Sequence, residues 1–136
     1  MSLDQNKKVV RQFLEEVFDN RRLDLVDDIL APDYLLYHPG ASQPLKRDAF
    51  PAFLAGFPAG FPDFFMEVKS IIAEGDEVAA RFVLGGTHKG TFMGVPPTGR
   101  KVELQGEAFY RLRDGQIIED RPLIDWAQML EQMEVL

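Results

Sequence analysis

Residues 86–120, GTHKGTFMGVPPTGRKVELQGEAFYRLRDGQIIED, decide the fold. The second half of this stretch alternates in character. Val102, Leu104, Gly106, Ala108, Tyr110 and Leu112 fall on one side of an extended chain. Lys101, Glu103, Gln105, Glu107, Arg111 and Arg113 fall on the other, and only Phe109 breaks the polar set. Period-two alternation sustained over 101–113 predicts a half-buried antiparallel strand. Asp114-Gly115 supplies the positive φ of a tight hairpin, so 116–121 returns as the last strand. Upstream, Gly94-Val95-Pro96-Pro97-Thr98-Gly99 is a stiff connection, because two prolines fix φ and remove two donors. A long, curved sheet with one apolar, concave face is the expected result.

Outward from that stretch, 64–73 and 77–92 read as two further strands around the turn Glu74-Gly75-Asp76, with Gly85-Gly86 bending the longer one. Before them, Phe50, Phe53, Leu54 and Phe57 share the face of a helix that Asp48 can cap and whose first turn tolerates Pro51. Residues 43–47 are a polar loop, and 34–38 a short strand closed by Pro39-Gly40. At the start, Val9, Val10, Phe13, Leu14, Val17 and Phe18 recur at helical spacing, giving a helix over 4–20 with Ser2 or Asp4 as N-cap. Leu23, Val26, Ile29 and Leu30 mark a second helix, and Pro32 disfavours its continuation through Ala31. After the last strand, Asp125 can cap a closing helix whose stripe is Trp126, Met129, Leu130 and Met133. The order is that of three helices closing the open side of a curved sheet.

At 136 residues the chain reads as a single domain, 1–136, able to bury roughly two-thirds of its unfolded surface. It has no cysteine, which suits a cytoplasmic protein, and neither a basic-plus-apolar leader nor an apolar run near the length of a membrane span. Fifteen basic against 22 acidic side chains leave a net charge of −7, which argues against nucleic acid or an anionic membrane as partner. Two histidines, His38 and His88, show no ligand spacing with carboxylates, so no metal is expected.

The run GTHKGTFMGVPPTGRKVE, the RDGQIIE hairpin, the helical opening that ends in LAPDY and the FPDF segment together resemble the SnoaL-like polyketide cyclases of the nuclear transport factor 2-like superfamily. The resemblance implies an α+β fold: a cone-shaped barrel whose curved, mostly antiparallel sheet is closed by three N-terminal helices around a pocket, with a short C-terminal helix. It also implies a likeness to homodimers packed through the sheet, and a cofactor-independent aldol closure. In that reaction a carboxylate on the last strand moves a proton next to a carbonyl, helped by polar side chains of the neighbouring strand. The same scaffold also hosts hydrolases, dehydratases, isomerases and plain binders. Counted from the Asp114-Gly115 turn, the family's catalytic aspartate falls on Pro122, and its polar neighbours fall on Gly106 and Ala108.

A substitute for that acid is Asp120, two residues before Pro122 and therefore on the same face. It reads either as an acid/base group or as an ion-paired carboxylate at the rim. His38 can pair with it as a proton-transfer dyad or bond to backbone beside Pro39-Gly40, and only one of Tyr37 and His38 can face inward. Tyr34, Tyr110 and His88 could each meet a ligand oxygen, although His88 equally suits bracing the strand bend. Phe53, Phe57, Phe61, Phe82 and Trp126 read as the aromatic wall of a chamber, or as ordinary core. Two functions follow: a lyase or isomerase acting through Asp120 and His38, or a non-catalytic binder of a small, mostly apolar molecule. A third, epoxide opening of the limonene epoxide hydrolase type, would need Asp120 and Asp125 together with Arg121 or Arg81.

Overall fold

In the computed structural model, which describes residues 2–135, Ser2 starts helix α1 (Leu3–Gln12) through a reciprocal cap. Its hydroxyl accepts from Gln5 N–H at 3.1 Å while the Gln5 side chain accepts from Ser2 N–H at 3.0 Å, so Ser2 rather than Asp4 is the cap. The expected helix over 4–20 changes type midway. Residues Phe13–Asp19 form a π-helix, and its wider turn buries Phe13, Leu14, Val17 and Phe18 together. A 3-10 turn, Leu23–Leu25, leads into the short helix α2 (Val26–Ile29).

Strand β1 (Leu30–Leu36) begins four residues before the expected 34–38 and ends before His38. Pro32, unsuited to a helix, is accommodated at an exposed position of this strand. Its last residues pair with a two-residue strand, β2 (Leu45–Lys46), inside the expected polar loop. Asp48 lies in a 3-10 turn, Arg47–Ala49, so helix α3 (Phe50–Gly60) has no side-chain cap. Strand β3 (Phe65–Glu74) is followed by β4 (Glu77–Thr87), which stops five residues short of the expected Phe92. Strand β5 (Lys101–Arg113) has the predicted bounds, and β6 (Gln116–Ile124) runs three residues beyond them. Helix α4 (Trp126–Gln132) starts where Asp125 accepts Gln128 N–H at 3.0 Å.

The six strands form one open sheet in the order β2-β1-β6-β5-β4-β3, parallel between β1 and β6 and antiparallel elsewhere. Its inner face joins α1, the π-helical segment and α3 in one core, in which Phe13 meets Tyr110 edge-on at 6.0 Å and Phe18 meets Phe57 at 6.2 Å. The even-numbered residues of β5 are buried and the odd ones exposed or half-buried. At Gly85 a side chain would run into the Val102 carbonyl of β5, so the residue permits close backbone approach within an unbroken strand.

One irregularity positions the site. Arg111 pairs with Glu119 but Leu112 with Ile117, leaving Ile118 as a bulge in β6. Strict alternation from the buried Ile117 would turn Asp120 outward; the extra residue restores it to the inner face, opposite Tyr110.

Candidate active site

Asp120 sits at the inner end of a pocket between the sheet and α3, and it is only 2% exposed. Leu36 flanks it on β1 and Tyr110 on β5. The next row toward the mouth is small: Pro122 pairs with Ala108, which pairs with Ala80. Beyond it, a methyl group on Gly106 would lie 2.5 Å from Phe82 Cε1, so the glycine lets the Phe82 ring lie flat against the sheet. Phe53 and Phe57 from α3, Leu14 and Phe18 from the π-helix, and Trp126 from α4 complete the walls. The cavity volume is only ≈ 30 Å³, room for about two waters. A ring-bearing ligand must therefore displace side chains at the mouth.

The carboxyl group is not paired with an imidazole. Its Oδ2 accepts the Tyr34 hydroxyl at 2.6 Å, and Tyr34 is itself 1% exposed. Burial pushes Asp120 up to about 7, against a smaller downward pull from that hydrogen bond. The same burial, with the carboxyl beside them, pushes the Tyr34 and Tyr110 phenols well above their ordinary value, so both stay protonated donors. Tyr34 is thus committed to Asp120 and is not free for a ligand. The Tyr110 hydroxyl makes no hydrogen bond to protein among the described residues, and its residue lines the pocket.

His38 faces the same pocket from beyond the end of β1. Its Nδ1 lies 2.9 Å from the Pro39 carbonyl, which fixes Nδ1 as the protonated nitrogen and leaves Nε2 as the acceptor. The ring stacks on Trp126 at 6.0 Å and 21°, with Phe53 edge-on at 5.8 Å. The hydrogen bond to Pro39, rather than one to Asp120, is its polar contact among the described residues. Tyr37, its neighbour, points the other way, under the Arg121 guanidinium at 3.9 Å.

His88 is fully buried away from the pocket lining. Its Nδ1 accepts from the Thr98 hydroxyl at 3.0 Å and from Thr98 N–H at 3.3 Å, while Arg100 N–H donates to that hydroxyl at 3.3 Å. The signature histidine and threonine therefore clamp the 88–100 loop across its base, with His88 N–H donating to the Arg100 carbonyl. The FPDF aspartate acts similarly: Asp63 accepts Thr87 N–H at 2.6 Å and the Thr87 hydroxyl at 2.8 Å. Phe61 packs on His88 and lines an apolar cleft beside the pocket, separated from it by Phe57 and Trp126.

The groups needed for epoxide opening are not assembled. Asp125 caps α4, Arg121 covers Tyr37 and Arg81 lies on the outer face, so Asp120 is the one carboxyl among them in the pocket. No cluster of three or more histidine, aspartate or glutamate side chains suited to a metal occurs among the described residues. Sequence reasoning missed the Tyr34–Asp120 contact, which joins residues 86 positions apart; the available signal was alternation from Leu36, which puts Tyr34 on the inner face.

Residues 8–133 match the SnoaL-like polyketide cyclase family. Nogalonic acid methyl ester cyclase of Streptomyces nogalater is 32% identical over 121 residues, covering 85% of this chain and 88% of the relative. Among solved structures, wild-type IdmH from Streptomyces antibioticus superposes with a TM-score of 0.85 at 34% identity, covering 96% of this chain and 99% of the other. A SnoaL-like protein from Jannaschia sp. CCS1 gives a TM-score of 0.89 at 26% identity, covering 98% and 94%.

Proposed function

The chain belongs to the SnoaL-like polyketide cyclase family, and from that premise we propose that it is a cofactor-independent lyase or isomerase acting on a small, mostly apolar, carbonyl-bearing molecule. The observation that carries the reading is a buried carboxyl, raised to about 7, at the inner end of an aromatic pocket. A group with that value holds comparable amounts of acid and base at neutral pH, as proton shuttling requires. In the reaction, Asp120 as carboxylate takes a proton from the carbon next to a carbonyl. The enolate oxygen accepts a hydrogen bond from Tyr110. The enolate carbon then bonds to a second carbonyl carbon of the same molecule, and Asp120 returns its proton to the new alkoxide, so no atom or electron is gained or lost. His38, which lines the same pocket, supports this by presenting Nε2 to a polar atom of the substrate.

The relative's substrate, nogalonic acid methyl ester, is the first compound to try, with product followed by chromatography. Asp120→Asn should lower the rate by about 10²–10⁴-fold, the usual worth of a positioned acid/base group. Turnover at the unchanged rate in that variant would refute the assignment.

A second reading, a binder without chemistry, is favoured by Pro122, Gly106 and Ala108 standing where the resemblance puts the family's acid and its polar neighbours. It predicts retention of an apolar ligand in native mass spectrometry and no turnover of any aldol or isomerase substrate. The proposal extends to a cytoplasmic setting, testable by cell fractionation. It also includes a homodimer through the outer sheet face, where Phe109 and Leu123 are exposed among charged neighbours. Light scattering tests the dimer directly.

A further inference from the structure

Asp120 is fixed at two points by the end of β1 and the residue that follows it. Tyr37 N–H donates to its carbonyl at 2.8 Å, and the Tyr34 hydroxyl donates to Oδ2 at 2.6 Å from the side closed to solvent. The Tyr34 and Asp120 side chains are both buried. The other oxygen, Oδ1, has no protein partner among the described residues, yet it is not among their sealed, unpartnered atoms, so it opens onto the pocket that Asp120 lines. The titratable groups facing the carboxyl are Tyr34 and His38 on the β1 side and Tyr110 on β5. The helices contribute only Leu14, Phe18, Phe53, Phe57 and Trp126.

We propose that Tyr34 is a positioning residue that commits Oδ2 to the protein and makes Oδ1 the single atom through which Asp120 exchanges a proton with substrate. A carboxyl with two free oxygens can turn about its last torsion and present either one. With Oδ2 occupied by a phenol that remains a donor in both protonation states, the acidic proton resides on Oδ1 and faces the substrate. This rests on the reading of Asp120 as the proton-transfer group.

Tyr34→Phe tests the inference, since it removes one oxygen and keeps the ring. Loss of a donor to the carboxylate favours the neutral form. The Asp120 midpoint, read from its carboxyl carbon by NMR without substrate, should rise by about one pH unit. The acid limb of the pH–rate profile should move with it, and kcat should fall about tenfold with KM little changed. An unmoved NMR midpoint overturns the proposal. That outcome is separate from the functional reading, which stands or falls on Asp120→Asn turnover. Should Tyr34→Phe fail to fold, the wild-type protein decides: the Tyr34 Cζ resonance must titrate with the Asp120 midpoint, and a flat Cζ signal through that range overturns the proposal equally.

Discussion

Asp120→Asn should make the protein less sensitive to alkaline pH, and the size of the effect follows from burial. An aspartate in the unfolded chain titrates near 3.8, whereas the folded protein holds Asp120 at about 7. Between those values the folded state binds more protons than the unfolded state, so stability falls as pH rises. The contribution is fully present below 3.8, is lost progressively up to about 7 and is constant above. At about 1.4 kcal/mol per pH unit the full interval amounts to about 4 kcal/mol, and roughly 3 kcal/mol of it is lost between pH 5 and pH 8. Because the group is 2% exposed, no large allowance for solvent screening applies. Asparagine cannot ionise, so the difference in unfolding free energy between variant and wild type should shift by roughly 3 kcal/mol in the variant's favour over that range. All other carboxylates cancel in the difference. Urea unfolding followed by Trp126 emission at pH 5, 6, 7 and 8 measures it. A difference that stays flat across those four values would refute the raised value and with it a resting-state acid role for Asp120.

Three further outcomes are expected. Gly106→Ala should destabilise by about 1–3 kcal/mol, because its methyl would stand 2.5 Å from Phe82 Cε1 and 3.1 Å from Ile124 Cγ1; an unchanged urea midpoint would mean that Phe82 gives way freely. Thr98→Ala removes the hydroxyl that bridges His88 and the Arg100 backbone, costing about 1 kcal/mol, and amide exchange over 89–99 should quicken. Unaltered exchange there would show that the clamp does not hold the loop. Trp126 is the sole tryptophan and stacks on His38 and Phe57 at the pocket mouth. A ligand that enters the pocket should therefore change its emission, and one that binds without doing so lies elsewhere.

How much of this was legible depended on whether the cause was local. The alternation in 101–113 gave β5 its full length because every second side chain there is buried. The first helix was legible as a helix, but its π-helical half was not, since four residues buried together fit either helical period. Strand β2 is held only by pairing with β1, and nothing in Leu45 or Lys46 announces it. Strand β1 starts at Leu30 and not at Tyr34, because Pro32 suits the exposed position of an extended strand as well as it stops a helix. At the site, face and strand position point to Asp120 and His38, and both line the pocket. The bond between them was not formed: Asp120 turned to Tyr34, a partner supplied by a parallel strand from the other end of the chain.

The place of Pro122 explains why a carboxyl belongs at 120. Strand β1 pairs with β6 only as far as Leu36 opposite Asp120, so beyond that point β6 has β5 alone as a neighbour. Proline is tolerated at 122 because the amide it lacks would have faced no strand there. Asp120 is the last residue of β6 held on both sides, and a carboxyl there is anchored by both ladders and by Tyr34. Counted from the hairpin, the resemblance puts the family's acid at position 122, and Asp120 lies one pleat, about 7 Å, deeper in the pocket. Two consequences follow from that shift alone. The group loses more solvent than an acid near the mouth and so titrates closer to neutrality. It also meets a different part of any substrate that enters head first, so the preferred substrate should carry its acidic carbon at the leading end. Paired compounds that differ only in which end bears the 1,3-dicarbonyl test this, and equal turnover of both would place the reacting carbon nearer the mouth than Asp120.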